Sequence, residues 1–183
     1  VTASFHALNL TLLTPLMPLH HALARVHHLE LPVFEVQPNA LCVLPLVFPH
    51  LTSLKVRGAA LPVGGLAGIV SCLNKLERVA LTEEPSPLSK QLSHDELLAA
   101  LKIAADRTQP QPQSQEACRH FHIVVLVQKW GAVSKQRAEH IKQRCSVLWE
   151  CAHEWSASMQ HPHVAMSVEC EGNGFLDFEE DGV

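Results

Sequence analysis

The chain has little charge and no large excess of either sign: 17% of its 183 residues are charged, with a net charge of -4. With a pI near 6.3, it offers no electrostatic case for binding nucleic acid or an anionic membrane. It has no uninterrupted apolar run of about 18 residues, which excludes a membrane-spanning helix. No positively charged stretch precedes an apolar core at the N-terminus, so no secretory signal is expected. Six cysteines (Cys42, Cys72, Cys118, Cys145, Cys151, Cys170) are scattered rather than dense. That usage points to reduced thiols in an intracellular protein, cytoplasmic or nuclear. Asn9-Leu-Thr11 matches a glycosylation acceptor, but in this setting it is read as part of a strand.

The usual signatures of catalysis are missing as well. There is no G-x-S-x-G elbow, and no cysteine stands in an electropositive turn at a helix start. Gly64-Gly65-x-x-Gly68 follows a strand but lacks the G-x-G-x-x-G order and the P-loop lysine, and a small-residue turn accounts for it. Cys118-x-His120-x-His122 and Cys145-x5-Cys151-x-His153 gather possible zinc ligands without a paired ligand spacing. The paired histidines His20-His21 and His27-His28 read as surface residues. No metal, cofactor or catalytic residue is therefore assigned.

What the chain does have is hydrophobic content, 47% of residues, in a recurring pattern. Phe5-His-Ala-Leu8-Asn-Leu10, Val26-His-His-Leu29-Glu-Leu31, Leu51-Thr-Ser-Leu54-Lys-Val56 and Leu76-Glu-Arg-Val79-Ala-Leu81 share the form L-x-x-L-x-L and start 21, 25 and 25 residues apart. Each is a short strand with its apolar side chains on one face, at an interval in the leucine-rich-repeat range. Between them, Thr11 to Arg25, Pro38 to Phe48, Gly64 to Leu73 and His94 to Ala105 carry helical spacing, and prolines crowd the first returns. Ser93-His-Asp-Glu96 is a capping box that fixes the start of the last of these helices.

The second half is expected to continue the sheet as strand, helix, strand. His122 to Val127 is an apolar run suited to a buried parallel strand. A helix from Lys135 to Met159 would turn Ile141, Cys145, Leu148, Trp149, Ala152 and Trp155 toward the sheet. Val164 to Val168 supplies the last strand, joined by a right-handed crossover. The expectation is one α/β domain over 1–183: a solenoid with a parallel sheet and convex-side helices. It has repeats over about 5–106, a Gln/Pro-rich loop at 107–117, a closing unit at 118–170 and an acidic tail at 171–183.

The stretch Leu44-Pro-Leu-Val-Phe-Pro-His-Leu-Thr-Ser-Leu-Lys-Val56 resembles the repeat units of F-box proteins that carry leucine-rich repeats. The resemblance implies the substrate-recognition portion of a ubiquitin ligase adaptor, with any F-box lying upstream of Val1. In this family an Asn or Cys stands three residues after the last strand leucine; here Leu13, Phe34, Ala59 and Glu84 do.

Strand alternation places Ala7, Asn9 and Thr11, then His28, Glu30 and Pro32, then Ser53, Lys55 and Arg57, then Arg78, Ala80 and Thr82 on the face away from the core. Asn9, His28, Glu30, Ser53, Lys55, Arg57 and Arg78 are the candidate partner-binding residues, with the three cations as the centre of a face for an acidic segment of another protein. The chain is thus read as a non-enzymatic protein-binding module. Two alternatives stand beside it. A small α/β enzyme would need a pocket with convergent polar groups at the carboxyl ends of its strands. A calcium protein would use Glu169 to Glu180, which fits a calcium loop at Asn173, Gly174, Asp177 and Glu180 but has Glu169 and Glu171 at its first and third positions.

Overall fold

The computed structural model describes residues 2–4, 20–31, 38–84, 91–108, 120–128, 135–158 and 162–171. Strands Thr2–Ser4 (β1), His28–Leu31 (β2), Ser53–Arg57 (β3), Arg78–Glu83 (β4), Phe121–Gln128 (β5) and Val164–Glu171 (β6) make one six-stranded sheet. Every pairing is parallel, and the strands follow chain order. Helices His20–Leu23 (α1), Pro38–Val47 (α2), Gly65–Cys72 (α3), His94–Thr108 (α4) and Lys135–Ser158 (α5) lie between them.

The expected stacking of strand residues holds over most of the sheet. Leu29 pairs with Leu54, Leu54 with Val79, Val79 with Ile123 and Ile123 with Met166. The first unit differs: Ala3, not Leu8, stands opposite Leu29. That restores an interval of 26 residues beside the two of 25 that follow. Phe5 to Leu10, the expected first strand, lies outside the described residues, and the residue opposite Leu29 is five positions before Leu8.

Leu29, Leu54, Val79, Ile123 and Val125 lie in one core with Leu66, Ile69, Leu97, Leu101, Ile141 and Leu148 from the helices. One sheet face therefore carries the helices and the main core. Leu54, Val79, Leu81 and Ile123 are fully enclosed.

Three features secure that layer. The capping box forms as expected: the Glu96 amide donates to Ser93 Oγ at 3.1 Å, and the Ser93 amide donates back to Glu96 Oε2 at 2.9 Å. Glu96 Oε1 also accepts the amide of Gly64 at 3.2 Å, tying α4 to the start of α3. Gly64 needs its missing side chain, with φ at +72°, and a Cβ on Gly65 would lie 2.8 Å from Pro62. Arg107 donates from Nη1 to the Val70 carbonyl and from Nη2 to the Leu73 carbonyl, closing the C-terminus of α3. The polar loop thus starts later than its composition suggests, since α4 runs through Arg107 to Thr108.

Helix α5 presents Ile141, Cys145, Leu148, Ala152 and Trp155 inward as expected, but Trp149 is 60% exposed and Cys151 is fully buried. At about 100° per residue, Trp149 falls a quarter-turn beyond Leu148, whereas Cys151 closes the other side of the buried stripe. Trp155 donates its indole N–H to the Val164 carbonyl at 3.0 Å, which holds β6 under the helix. Pro45 lies inside α2 without ending it. The Gln/Pro-rich loop from 109 to 119 and the tail beyond Glu171 lie outside the described residues.

Candidate functional site

On the sheet face opposite the helices, the strands align polar residues in three rows. His28, Ser53, Arg78, His122 and Ala165 form the row at the amino ends of the strands. Glu30, Lys55, Ala80, Val124 and Ser167 form the middle row. Arg57, Thr82, Leu126 and Glu169 form the row at the carboxyl ends.

Exposure differs across the face. His28, Glu30 and Arg78 are exposed, and Ser53, Lys55 and Arg57 are half-buried. Ala80, Val124 and Leu126 form a second, smaller buried cluster, apart from the main core. The polar character of the face is therefore concentrated on β2 and β3 and along the first row.

The six candidate residues within the described part, His28, Glu30, Ser53, Lys55, Arg57 and Arg78, share this face; Asn9 lies outside the described residues. They do not form one cluster. Glu30, Lys55 and Arg57 line a groove of about 440 Å³ at the carboxyl ends of the strands, together with Leu31, Thr82, Glu84 and Gln128. Arg78 belongs to the opposite end, two alternate positions from Arg57 along the pleat, beside Ser53. At about 3.3 Å per residue, roughly 13 Å of strand separates those two cations.

Pairing further divides the cations. Arg57 Nη2 donates to Glu84 Oε2 at 2.8 Å, and Arg137 Nη2 stands 3.8 Å from the other oxygen of that carboxylate. Glu84 occupies the position where the resembled family has its Asn or Cys. In this chain that position joins a strand-face cation instead of a turn. Thr82 donates its hydroxyl to the Val56 carbonyl at 3.4 Å. The groove thus presents two carboxylates, two cations, an amide and a hydroxyl, with Leu31 also at its wall.

The first row has its own electrostatics. Burial holds His122 below the ordinary imidazole range, Arg78 pushes it further down, and Glu169 opposes both. The ring therefore favours its neutral form beside Arg78. Sequence reasoning placed His122 in a strand and weighed it only as a metal ligand; the even spacing of His122, Val124 and Leu126 against Ile123 and Val125 marks it as a face residue.

Other candidate chemistry is positioned differently. Among the described residues no three His, Cys, Asp or Glu side chains gather to hold a metal ion. His120 meets His163 edge-on with ring centroids 5.0 Å apart. Cys145 and Cys151 are buried and outside any disulfide, and His153 is exposed on the other side of the helix. Burial and the neighbouring Glu154 raise the Cys151 thiol to about 11, with Arg144 pulling weakly the other way, so it is a poor nucleophile. The Gly64 amide, which a phosphate would have to engage, is held by Glu96. The calcium-loop reading falls on the tail, outside the described residues beyond Glu171. Among the described residues, no helix is long and apolar enough to cross a membrane.

One pair outside the face was not visible in the sequence. Glu83 and Arg144, buried at 4% and 6% exposure, form a two-pronged ion pair across the helix-side layer. Arg144 donates from Nε to Glu83 Oε2 at 2.6 Å, from Nη2 to Oε1 at 2.7 Å, and from Nη2 to the Leu92 carbonyl at 2.7 Å. The one available signal was negative: Glu83 continues the inward series Val79, Leu81, where an unpaired carboxylate would be untenable.

Compared with protein-family models, with curated proteins and with solved structures, the chain matches none.

Proposed function

We propose that this chain is a leucine-rich-repeat-like solenoid acting as a non-enzymatic protein-binding module, whose polar strand face receives an acidic segment of a partner protein. The observation that carries the reading is the sheet itself. Parallel strands in chain order, at intervals near 25 residues, put their apolar side chains on the helix side and leave Glu30, Lys55, Arg57 and Arg78 on the other. Such a surface is suited to a partner's extended segment, with charge setting orientation and on-rate. The F-box resemblance narrows the proposal further, to substrate recognition in an intracellular ubiquitin-ligase adaptor.

The experiment has two parts. Affinity purification of the full-length gene product asks whether ligase adaptors and a substrate co-purify. The captured partner is then tested against Lys55→Glu, Arg57→Gln, Arg78→Glu in combination, with a thermal melt alongside. Gln replaces Glu at position 57 because a new carboxylate there would face Glu84. A folded variant should associate more slowly and with a weaker salt dependence. Unchanged binding removes this face from consideration.

The groove at the carboxyl ends of β2, β3, β4 and β5 supports a second reading, a small-molecule enzyme, since parallel α/β sheets bind ligands there. That reading requires saturable binding of a small ligand without any partner protein, lost on Gln128→Ala or Thr82→Val.

A further inference from the structure

A guanidinium has five N–H donors, and the buried Arg144 uses three of them, two on the Glu83 carboxylate and one on the Leu92 carbonyl. All three come from Nε and Nη2. Among the described residues Nη1 makes no hydrogen bond, and it is not among the fully buried unpartnered atoms, so it keeps access to open space. Arg144 is 6% exposed, and the open space it borders is a pocket of about 240 Å³ between α5 and the segment leading into α4. That pocket is also lined by Gln91, His140, Gln143 and Val147.

We infer that this pocket is a binding site for a carboxylate, one oxygen accepting from Nη1 of Arg144 and the other from the side chains of Gln91, Gln143 or His140. Both fork edges of the guanidinium use Nη2, which Glu83 and Leu92 occupy, so Arg144 offers a single charged donor group. A two-oxygen acceptor suits the pocket because its second oxygen can accept from a neighbouring side-chain amide. Glu83 already fixes the plane of Arg144 from the other side. Nη1 is therefore held rigid before any ligand arrives, and little side-chain freedom is lost on binding. The amides of Gln91 and Gln143 each offer two donors and one acceptor, enough to hold an acid without adding a competing charge. The pocket has room for a small free acid or for an aspartate or glutamate side chain of a peptide; both present the same group to Arg144.

The site is on the helix side of the sheet, away from the polar strand face. Its failure and the failure of that face are therefore separately observable. The test is titration of the intact chain with acetate against chloride at constant ionic strength, following the arginine side-chain and glutamine side-chain amide resonances by NMR. The peptide acetyl-Gly-Glu-Gly-amide is titrated in parallel.

The expected result is a saturable shift of the Arg144 signals with acetate and none with chloride. Gln143 is exposed, so Gln143→Glu should preserve the fold while weakening acetate roughly tenfold or more through like-charge repulsion. The double replacement Glu83→Leu with Arg144→Met, which keeps the core filled, should abolish the acetate-dependent shift of the Gln91 and Gln143 side-chain amide signals. Tighter binding of the peptide than of acetate identifies a peptide side chain as the ligand; equal or weaker binding identifies a free acid. A linear, non-saturating response, an equal response to chloride, or binding that survives Gln143→Glu overturns the assignment and leaves Nη1 hydrated by water alone.

Discussion

Replacing Glu83 by Ala should be among the most damaging single changes available to this chain. The substitution removes both oxygens that accept Nε–H and Nη2–H of Arg144 at 2.6 and 2.7 Å. It leaves a guanidinium at 6% exposure with only the Leu92 carbonyl as a partner. Breaking a buried pair in this way costs about 3 to 5 kcal/mol, because the remaining charge stays desolvated. Set against a total stability of about 5 to 15 kcal/mol for a typical domain, that is about a fifth or more of what holds the chain folded.

The comparison is Glu83→Leu with Arg144→Met, which removes both charges and keeps apolar volume. Removing a buried pair together ranges from neutral to stabilising by about 1 to 4 kcal/mol. Urea unfolding followed by circular dichroism gives both values from the midpoint and slope, and the two single changes complete a double-mutant cycle. A cost under about 1 kcal/mol for Glu83→Ala, or a coupling energy below about 0.5 kcal/mol, would refute the claim that this pair joins β4, the start of α4 and α5.

Leu54 is fully buried in the centre of the sheet, so Leu54→Ala should cost about 2 to 5 kcal/mol in the same assay, and a change under about 1 kcal/mol would contradict the packing described. His122 has its pKa lowered in the folded chain, so the unfolded chain takes up the proton first as pH falls through 6.5; stability should drop from about pH 7 toward pH 5, and less steeply in His122→Asn. Coincident pH profiles of the two proteins would remove that linkage. With its thiol raised to about 11, Cys151 should resist iodoacetamide near neutral pH while half-buried Cys72 reacts, and peptide mass analysis showing Cys151 labelled first in the folded protein would contradict the burial.

The strands from β2 onward were legible because Leu29 with Leu31, Leu54 with Val56 and Val79 with Leu81 all obey a period of two on one face. The start of α4 was legible because a capping box is local chemistry, complete within four consecutive residues. Phe5 to Leu10 misled for the same reason: the motif describes a strand but contains nothing about its register with a neighbour. Trp149 misled because residue type suggested burial where helical angle did not. The candidate face was readable residue by residue from alternation. Its division was not, since the Arg57–Glu84 pair spans 27 positions and the Glu83–Arg144 pair spans 61. Contacts at that separation depend on where whole elements pack.

Strand order also governs where this chain can tolerate change in length. Each strand pairs only with its neighbours in the chain, so lengthening one connection disturbs no pairing except the one it spans. The interval from Val79 to Ile123 is 44 residues, against 25 from Leu54 to Val79, yet on loop-closure grounds that difference adds only about 0.5 kcal/mol. Residues gained between β4 and β5 are therefore cheap for folding, whereas one residue gained inside β4 would turn Leu81 and Glu83 to the opposite face and expel Arg144 from its partner. Natural and engineered insertions should accumulate in the connections, and the strands should keep their length.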